Sequence, residues 1–420
     1  MRATARRAAG FFVASLVFAL SLGATLGAVV WLSLTLQVNL LGTVALAQAR
    51  MAHAYAQLFG FTALFVCGVA YHVLPRLSGR PWGASLLDRV TLVGLSAGTA
   101  LASIGSFAGP TSVGVLLGHA SLLMGAGAFA WAVSAHLRAA QVSPALLSTY
   151  VQTGSWWLVF AAAAPLGFPA LLARGGQAVW EAALWGFAAN WIYGMSLRIL
   201  PTALGLKWKE RNADRVVWVL HQAGTVLWCA GGAAAAGALP VGFGTGASQL
   251  GGLALGLAGA AYIGRIGFLR GRGPVGHSVP GTERFLVFAY GWLAVSLASG
   301  PVAVAWTGAS FIGPAADFAR HAFTLGFLSQ MIFGVSMRVL PAAAGIPIWS
   351  ARLRDATYWL LNVGLLVRGG EAASAWGASP AWYRWAAVSG PVTWAAFLVF
   401  AVNLVMSVAS HGRGGELRRS

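Results

Sequence analysis

The chain is expected to fold as an all-α membrane bundle of about twelve transmembrane helices in three pseudo-repeats of four. Three observations lead there. Apolar residues make up 58% of the 420 positions and charged residues only 9%, a balance that fits a polytopic membrane protein and not a soluble domain. Apolar segments long enough to cross ~30 Å of hydrocarbon occur at roughly 12–36, 51–74, 89–108, 112–137, 148–172, 177–200, 215–236, 247–268, 284–306, 317–340, 355–377 and 388–410. A four-point pattern, G-x7-G-x6-P-x3-G, occurs three times: Gly60, Gly68, Pro75, Gly79; Gly186, Gly194, Pro201, Gly205; and Gly326, Gly334, Pro341, Gly345. The copies start 126 and 140 residues apart, so the chain reads as three related units in tandem.

In each unit the pattern falls on the second span. A tryptophan follows near each proline (Trp82, Trp208, Trp349), then an aspartate that opens the next apolar run (Asp88, Asp214, Asp355). The units cover about 10–140, 145–270 and 280–410 of a single membrane domain, 1–420, whose short connections leave no room for a soluble domain. Arg2, Arg6 and Arg7 ahead of an apolar run look like a signal peptide. The run continues for about 25 residues, so it is read as an uncleaved first span. Cys67 and Cys229 both sit inside apolar runs, and the absence of C-x-x-C-H excludes covalently attached c-type haem.

The net charge of +18 would suit a nucleic-acid ligand, but its distribution argues against one. With the N-terminus in the cytoplasm, 22 of the 27 Lys and Arg residues fall on the cytoplasmic side, leaving Arg50, Arg174, Arg320, Arg368 and Arg384 outside. The basic charge is then a topology signal. The expected partner is a lipid bilayer, of bacterial inner-membrane type, with both termini cytoplasmic and no nucleic acid.

This topology gives depth to the chemistry. His53, Glu181 and His321 open spans two, six and ten at the outer face. Glu181 and His321 each lie 20 residues before their proline, and His53 lies 22 before its own. Neutral imidazoles on two facing helices can ligate haem iron from both sides. Phe59, Gly60, Phe61, Phe323, Gly326 and Phe327 would suit a flat ring between them. Glu181 reads as the only acidic residue well inside a span, where a carboxylate needs a partner or a task. It could carry protons or, with His119 of span four, hold a second metal. His72, Arg198 and Arg338, three residues before each proline, read as interfacial anchors that snorkel.

With these residues in place, the chain resembles the catalytic subunit I of haem–copper oxidases. The closest likeness is to the C-family (cbb-type) enzymes, nitric oxide reductases and NnrS-like proteins. His53-Ala-Tyr-Ala-Gln-Leu-Phe-Gly-Phe resembles that family's low-spin haem segment. Ala319-Arg320-His321 with Gly326-Phe327 resembles its H-x-H segment, with alanine where the high-spin haem ligand would stand. Glu181 stands where a copper-binding histidine would, and the His-His copper pair is missing from the stretch after Cys229. The resemblance implies one low-spin haem b on His53 and His321, and Arg50, Arg320, Arg368 and Arg384 facing haem propionates. It also implies respiratory electron transfer or nitric oxide handling, with a cytochrome c or other redox subunit on the outer face. Copper and oxygen reduction are not expected. Any enzyme activity would be that of a haem-dependent oxidoreductase in which Glu181 is catalytic. The alternative is a cofactor-free twelve-span carrier with Glu181 as its intramembrane polar site.

The charge split makes a direct prediction. A reporter fused to the C-terminus should read cytoplasmic, and a readout on the outer side would refute the orientation.

Overall fold

The computed structural model describes residues 2–416 apart from 43, 84–85, 141, 143, 174–175, 269–279, 309–310, 312, 345 and 378. Gly345 of the third pattern lies outside the described residues, as do Arg174, Arg270, Arg272, Arg418 and Arg419 of the topology count. Among the described residues there are twelve long helices and no strand. They are α1 (2–36), α2 (Leu46–Ser78), α3 (Leu86–Ala108), α4 (Val113–Ala139), α5 (Ala145–Gly167), α6 (177–204), α7 (Asn212–Ala235), α8 (Val241–Ile266), α9 (Glu283–Thr307), α10 (314–344), α11 (Ala351–Ala375) and α12 (Ala381–Ser410). Seven of these (α1–α4, α7, α9 and α12) are long and apolar enough to cross a membrane by length and composition.

The three pattern helices α2, α6 and α10 form the centre. The apolar stretch of α2 is 83% buried, against 28% for α1 and 39% for α12. Aromatic contacts join the three pairwise: Tyr55 to Trp180 at 4.9 Å, Trp185 to Phe323 at 4.5 Å and Phe61 to Phe333 at 6.4 Å between ring centroids.

The structure explains why the glycines recur. A Cβ on Gly60, Gly186 or Gly326 would lie 2.6, 2.5 and 2.5 Å from the rings of Phe18, Trp157 and Trp292. A Cβ on Gly68, Gly194 or Gly334 would lie 2.9, 2.9 and 2.7 Å from Phe12, Tyr150 and Phe285, with Phe11 also at 3.0 Å from the first. In each unit, then, the second helix takes two aromatic side chains of the first helix directly against its backbone. The aromatics are seven residues apart (Phe11 and Phe18, Tyr150 and Trp157, Phe285 and Trp292), whereas the glycines are eight apart. The mismatch is absorbed by a π-helical stretch around each first glycine: Ala56–Ala63, Ala182–Ala188 and Ala322–Ser329. A π turn inserts one residue into the α ladder, so eight residues of α2, α6 or α10 cover the rise of seven on the facing helix.

Two units add a polar clamp at the same level. The Trp157 indole donates to Gln222 Oε1 at 2.9 Å, and Gln222 Nε2 donates to Asn190 Oδ1 at 2.8 Å. The Trp292 indole donates to Asn362 Oδ1 at 2.8 Å, which also accepts from Gln330 Nε2 at 3.1 Å. Asn190 and Gln330 each stand four residues after the first glycine of their pattern, where the first unit has Leu64 and its first helix has Phe18. Each clamp ties the first three helices of its unit where water cannot compete for the bonds. The repeated aspartates act at the opposite end: Trp82 donates to Asp88 at 3.2 Å, Arg265 pairs with Asp214 at 2.6 Å, and Arg284 pairs with Asp355.

Trp292→Phe keeps the ring against Gly326 and removes one buried hydrogen bond. It should lower stability in detergent by roughly 0.5–2 kcal/mol, and Trp292→Phe with Asn362→Leu should be less than additive. Strict additivity in thermal unfolding of the four proteins would show that the clamp does not act as a unit.

Candidate functional site

His53 and His321 lie on α2 and α10 near the ends of those helices that carry Arg50 and Arg320. The two imidazoles are held alike. His53 Nδ1 bonds the carbonyl oxygen of Gly23 at 2.8 Å, and His321 Nδ1 bonds that of Asp317 at 2.8 Å. Carbonyl acceptors fix the tautomer, with the proton on Nδ1 and the lone pair on Nε2. Neither Nε2 makes a hydrogen bond among the described residues. Gly23 can accept because α1 is disturbed there: it closes the π-helical stretch Ala19–Gly23 with φ −74° and ψ −97°. The His53 ring lies on the backbone of Gly27, where a Cβ would come within 2.5 Å of it. His53 falls within the electrostatic reach of His321. Both rings stay half-buried inside the bundle, as do Gln57, Thr324 and Leu325 one turn further along the same two helices. We take these half-buried faces, which on α2 also pack against Gly23 and Gly27 of α1, as the walls of a cleft between α2 and α10.

A charged rim covers that end of the cleft, and its hub is a residue the sequence reading passed over. Asp317 takes Arg368 Nη2 at 2.5 Å, Arg320 Nη1 at 3.7 Å and Arg50 Nη2 at 3.8 Å, and lies 3.4 Å from His321 Nδ1. Arg368 also faces Glu371 at 3.3 Å and lies over the Trp31 ring at 3.9 Å from its centroid. Trp31 is fixed in turn by donating to the Ala386 carbonyl at 2.7 Å. Arg320 pairs with Glu181 at 3.6 Å. Arg384 does not join the rim: it is exposed at the start of α12 and makes no ion pair among the described residues.

Glu181 is not the lone interior carboxylate that the sequence suggested, because Glu371 is buried as deeply at 2% exposure. Glu181 accepts from Gln177 Nε2 at 2.6 Å and from the Trp228 indole at 2.9 Å. His119 lies apart from it. Its Nε2 is 2.8 Å from the Tyr55 hydroxyl and its Nδ1 is 3.0 Å from the Ala162 carbonyl, so both ring nitrogens are engaged. Among the described residues no three His, Cys, Asp or Glu side chains converge as a metal-ion site. The expected glycine cradle also serves another purpose: Gly60 and Gly326 receive Phe18 and Trp292, while Gly23 and Gly27 of α1 make room at His53. Of the three expected anchors, Arg198 reaches out, but His72 is buried at 3% exposure with neither ring nitrogen bonded. It sits one turn inside α2, against the bundle and not at the interface.

The fold defines a polytopic α-helical membrane protein with threefold internal repetition and a carbonyl-bonded histidine on each of its second and tenth helices. Comparison with solved structures then gives that architecture a relative. The chain is similar to a haem–copper terminal oxidase dimer determined by cryo-electron microscopy, with a TM-score of 0.69 at 12% identity, over 96% of this chain and 84% of that one. The fold is therefore shared with a haem–copper oxidase. A family model described as a domain of unknown function (DUF8744) matches residues 274–409, which hold α9 to α12. No curated protein matches the sequence.

The rim makes a graded prediction. Arg368→Ala removes a guanidinium whose side chain is 7% exposed and strands Asp317 and Glu371, so it should destabilise by about 3–5 kcal/mol. Arg50→Ala removes a partner that is 46% exposed and 3.8 Å away, and should cost about 0–1 kcal/mol. Equal losses in denaturant titrations would contradict the placement of Asp317 at the hub.

Proposed function

We propose that this protein is a membrane b-type cytochrome on the haem–copper oxidase subunit I fold, with one low-spin haem b held by His53 on α2 and His321 on α10. The observation that carries the proposal is the matched pair of imidazoles, each tied at Nδ1 to a backbone carbonyl and unbonded at Nε2. That arrangement is how ligating histidines are oriented, with the second nitrogen fixing tautomer and ring plane. Haem iron held by these two residues would supply a one-electron couple. Around it, Gly23 and Asp317 hold the two rings, Gly27 gives His53 its space, and Trp31 and Arg368 close the cleft at the rim.

The rim fits propionates less well than the sequence suggested. Arg50, Arg320 and Arg368 already face Asp317, Glu181 and Glu371, three cations against three carboxylates. Propionates would have to share Arg368 and Arg50 with Asp317. Respiratory electron transfer or nitric oxide handling in a bacterial-type inner membrane follows as the role, with a c-type cytochrome or other redox subunit meeting the arginine-bearing outer face.

No second metal centre is proposed. Ala319 has no donor atom in its side chain, and its carbonyl already accepts from Ser296 at 2.8 Å. Glu181 is engaged by Gln177, Trp228 and Arg320, and one carboxylate is a poor match for copper(I), which prefers softer ligands.

A visible spectrum of the purified protein tests the proposal. Wild type should show a low-spin b-type spectrum, and His53→Ala or His321→Ala should each abolish it. Elemental analysis should give one iron per chain, all in haem, without copper. An unchanged spectrum in both variants would remove the assignment. Stoichiometric copper, or two haems per chain, would mean a catalytic centre built on other residues.

A further inference from the structure

A second site lies on the lipid-facing wall, away from the cleft. A cavity of about 500 Å³ opens between α5 and α7, above the first turns of α6. Its lining follows helical periodicity. On α5 it is Thr153, Trp156, Trp157, Phe160, Ala161 and Ala164, and on α7 it is Val226, Cys229, Ala230 and Ala233. These are steps of three and four residues, so each helix presents one straight stripe. Leu171, Ala178 and Val179 close one end.

We propose that this groove seats one acyl chain of a bilayer phospholipid. Its shape carries the assignment. The α5 stripe runs twelve residues, from 153 to 164, and its eleven steps at 1.5 Å each give roughly 16 Å, about one leaflet of a ~30 Å hydrocarbon layer. The closed end lies at the level of the α5–α6 hairpin, where lipid headgroups begin. The other end reaches the middle of the bundle beside the Trp157–Gln222–Asn190 clamp. The chain would lie parallel to α5 and α7, entering sideways from the lipid past Trp156 and Phe160, with its methyl end at the bilayer midplane.

The chemistry agrees with the shape. Small side chains, Ala161, Ala164, Ala178, Ala230 and Ala233, keep the floor open, while the large rings form one wall. Trp156 and Phe160 are 47% and 50% exposed towards the bilayer. The Trp157 indole is already bonded to Gln222, so it offers no donor to a headgroup or a ring carbonyl. Thr153 and Cys229 supply the remaining polar atoms of the lining. A groove so poor in free donors favours a hydrocarbon chain over a polar-headed ligand. The seat also has a structural task. Val179 and Cys229 back onto Glu181 and Trp228, so an acyl chain there covers the wall behind that buried pair and keeps water from it.

The test uses full-length protein in nanodiscs of phosphatidylglycerol and phosphatidylethanolamine, with a trace phospholipid carrying a diazirine near the end of its acyl chain. Peptide mapping after photolysis should place the label on 153–164 and 226–233. Ala161→Phe and Ala230→Phe fill the groove from opposite sides, and each should cut that labelling at least fivefold while circular dichroism stays unchanged. If one variant fails to fold, the other still decides. Labelling that survives the substitution, or that spreads evenly over the other exposed apolar faces, would overturn the proposal. So would full displacement by an equimolar long-chain quinone under conditions where unlabelled phospholipid competes weakly. The readout does not depend on haem, so it stands apart from the assignment of His53 and His321.

Discussion

Each unit depends on one close approach, two aromatic side chains of its first helix packed against two glycines of its second. The constraint is proximity, because none of the six glycines has the positive φ that would itself require glycine. A methyl group at 2.5 Å from an indole cannot be accommodated without separating the helices. Lipid is as apolar as leucine, so membrane helices gain little from hiding hydrocarbon from each other. Close van der Waals packing and interhelical hydrogen bonds must hold them. The glycine–aromatic contact supplies the first, and in the second and third units the Trp–amide clamp supplies the second. Both act at the same level of α6 and α10, which fixes the depth of those helices. Through its own pair, α2 is seated on α1 in the same way.

Much of this was legible in the sequence, because glycine spacing and apolar runs survive as patterns along the chain. The eight-residue spacing was visible, but its cause was not. A π turn has no clear residue signature, and only the seven-residue spacing of the facing aromatics shows that one residue is extra. The clamps were hidden for a different reason. Gln222 and Asn362 lie 65 and 70 residues from their tryptophans, and single polar residues in apolar runs look alike until their partners are placed. Asp317 was overlooked because it opens a helix, where an acidic residue is commonplace. Its importance comes from Arg368, 51 residues later, and from Arg50 on another helix.

The rim is an example of charge made tolerable by mutual enclosure. Three guanidinium groups and three carboxylates share a region where isolated ions would cost several kcal/mol each. The pairs are chained: Glu181 to Arg320, Arg320 to Asp317, Asp317 to Arg368, Arg368 to Glu371. No member can be neutralised without unbalancing its neighbour. The chain links α6, α10 and α11, and through Arg50 it reaches α2, so it ties the helices around the cleft at the end where the clamps do not act. Arginine suits this position better than lysine, because a planar guanidinium can face two carboxylates at once and still lie flat on the ring of Trp31.

Ala319 has a packing counterpart on α9. A Cβ on Gly300 would come 3.0 Å from the Ala319 methyl, so α9 lies close against α10 there. What remains between α6, α9 and α10 is a cavity of about 100 Å³, lined by Glu181, Trp185, Ser296, Arg320 and Phe323 among others. Sites for drug-sized ligands run to about 300–1,000 Å³, and a macrocycle needs space of that order. Restoring a histidine at 319 alone would therefore drive an imidazole into the backbone of α9. Gly300 opposite Ala319 is a pair of small residues that lets α9 and α10 pack closely. The cleft between α2 and α10 was not closed in the same way. There the small residues, Gly23 and Gly27, belong to α1 and make room for the His53 ring, whose Nδ1 is taken by the Gly23 carbonyl.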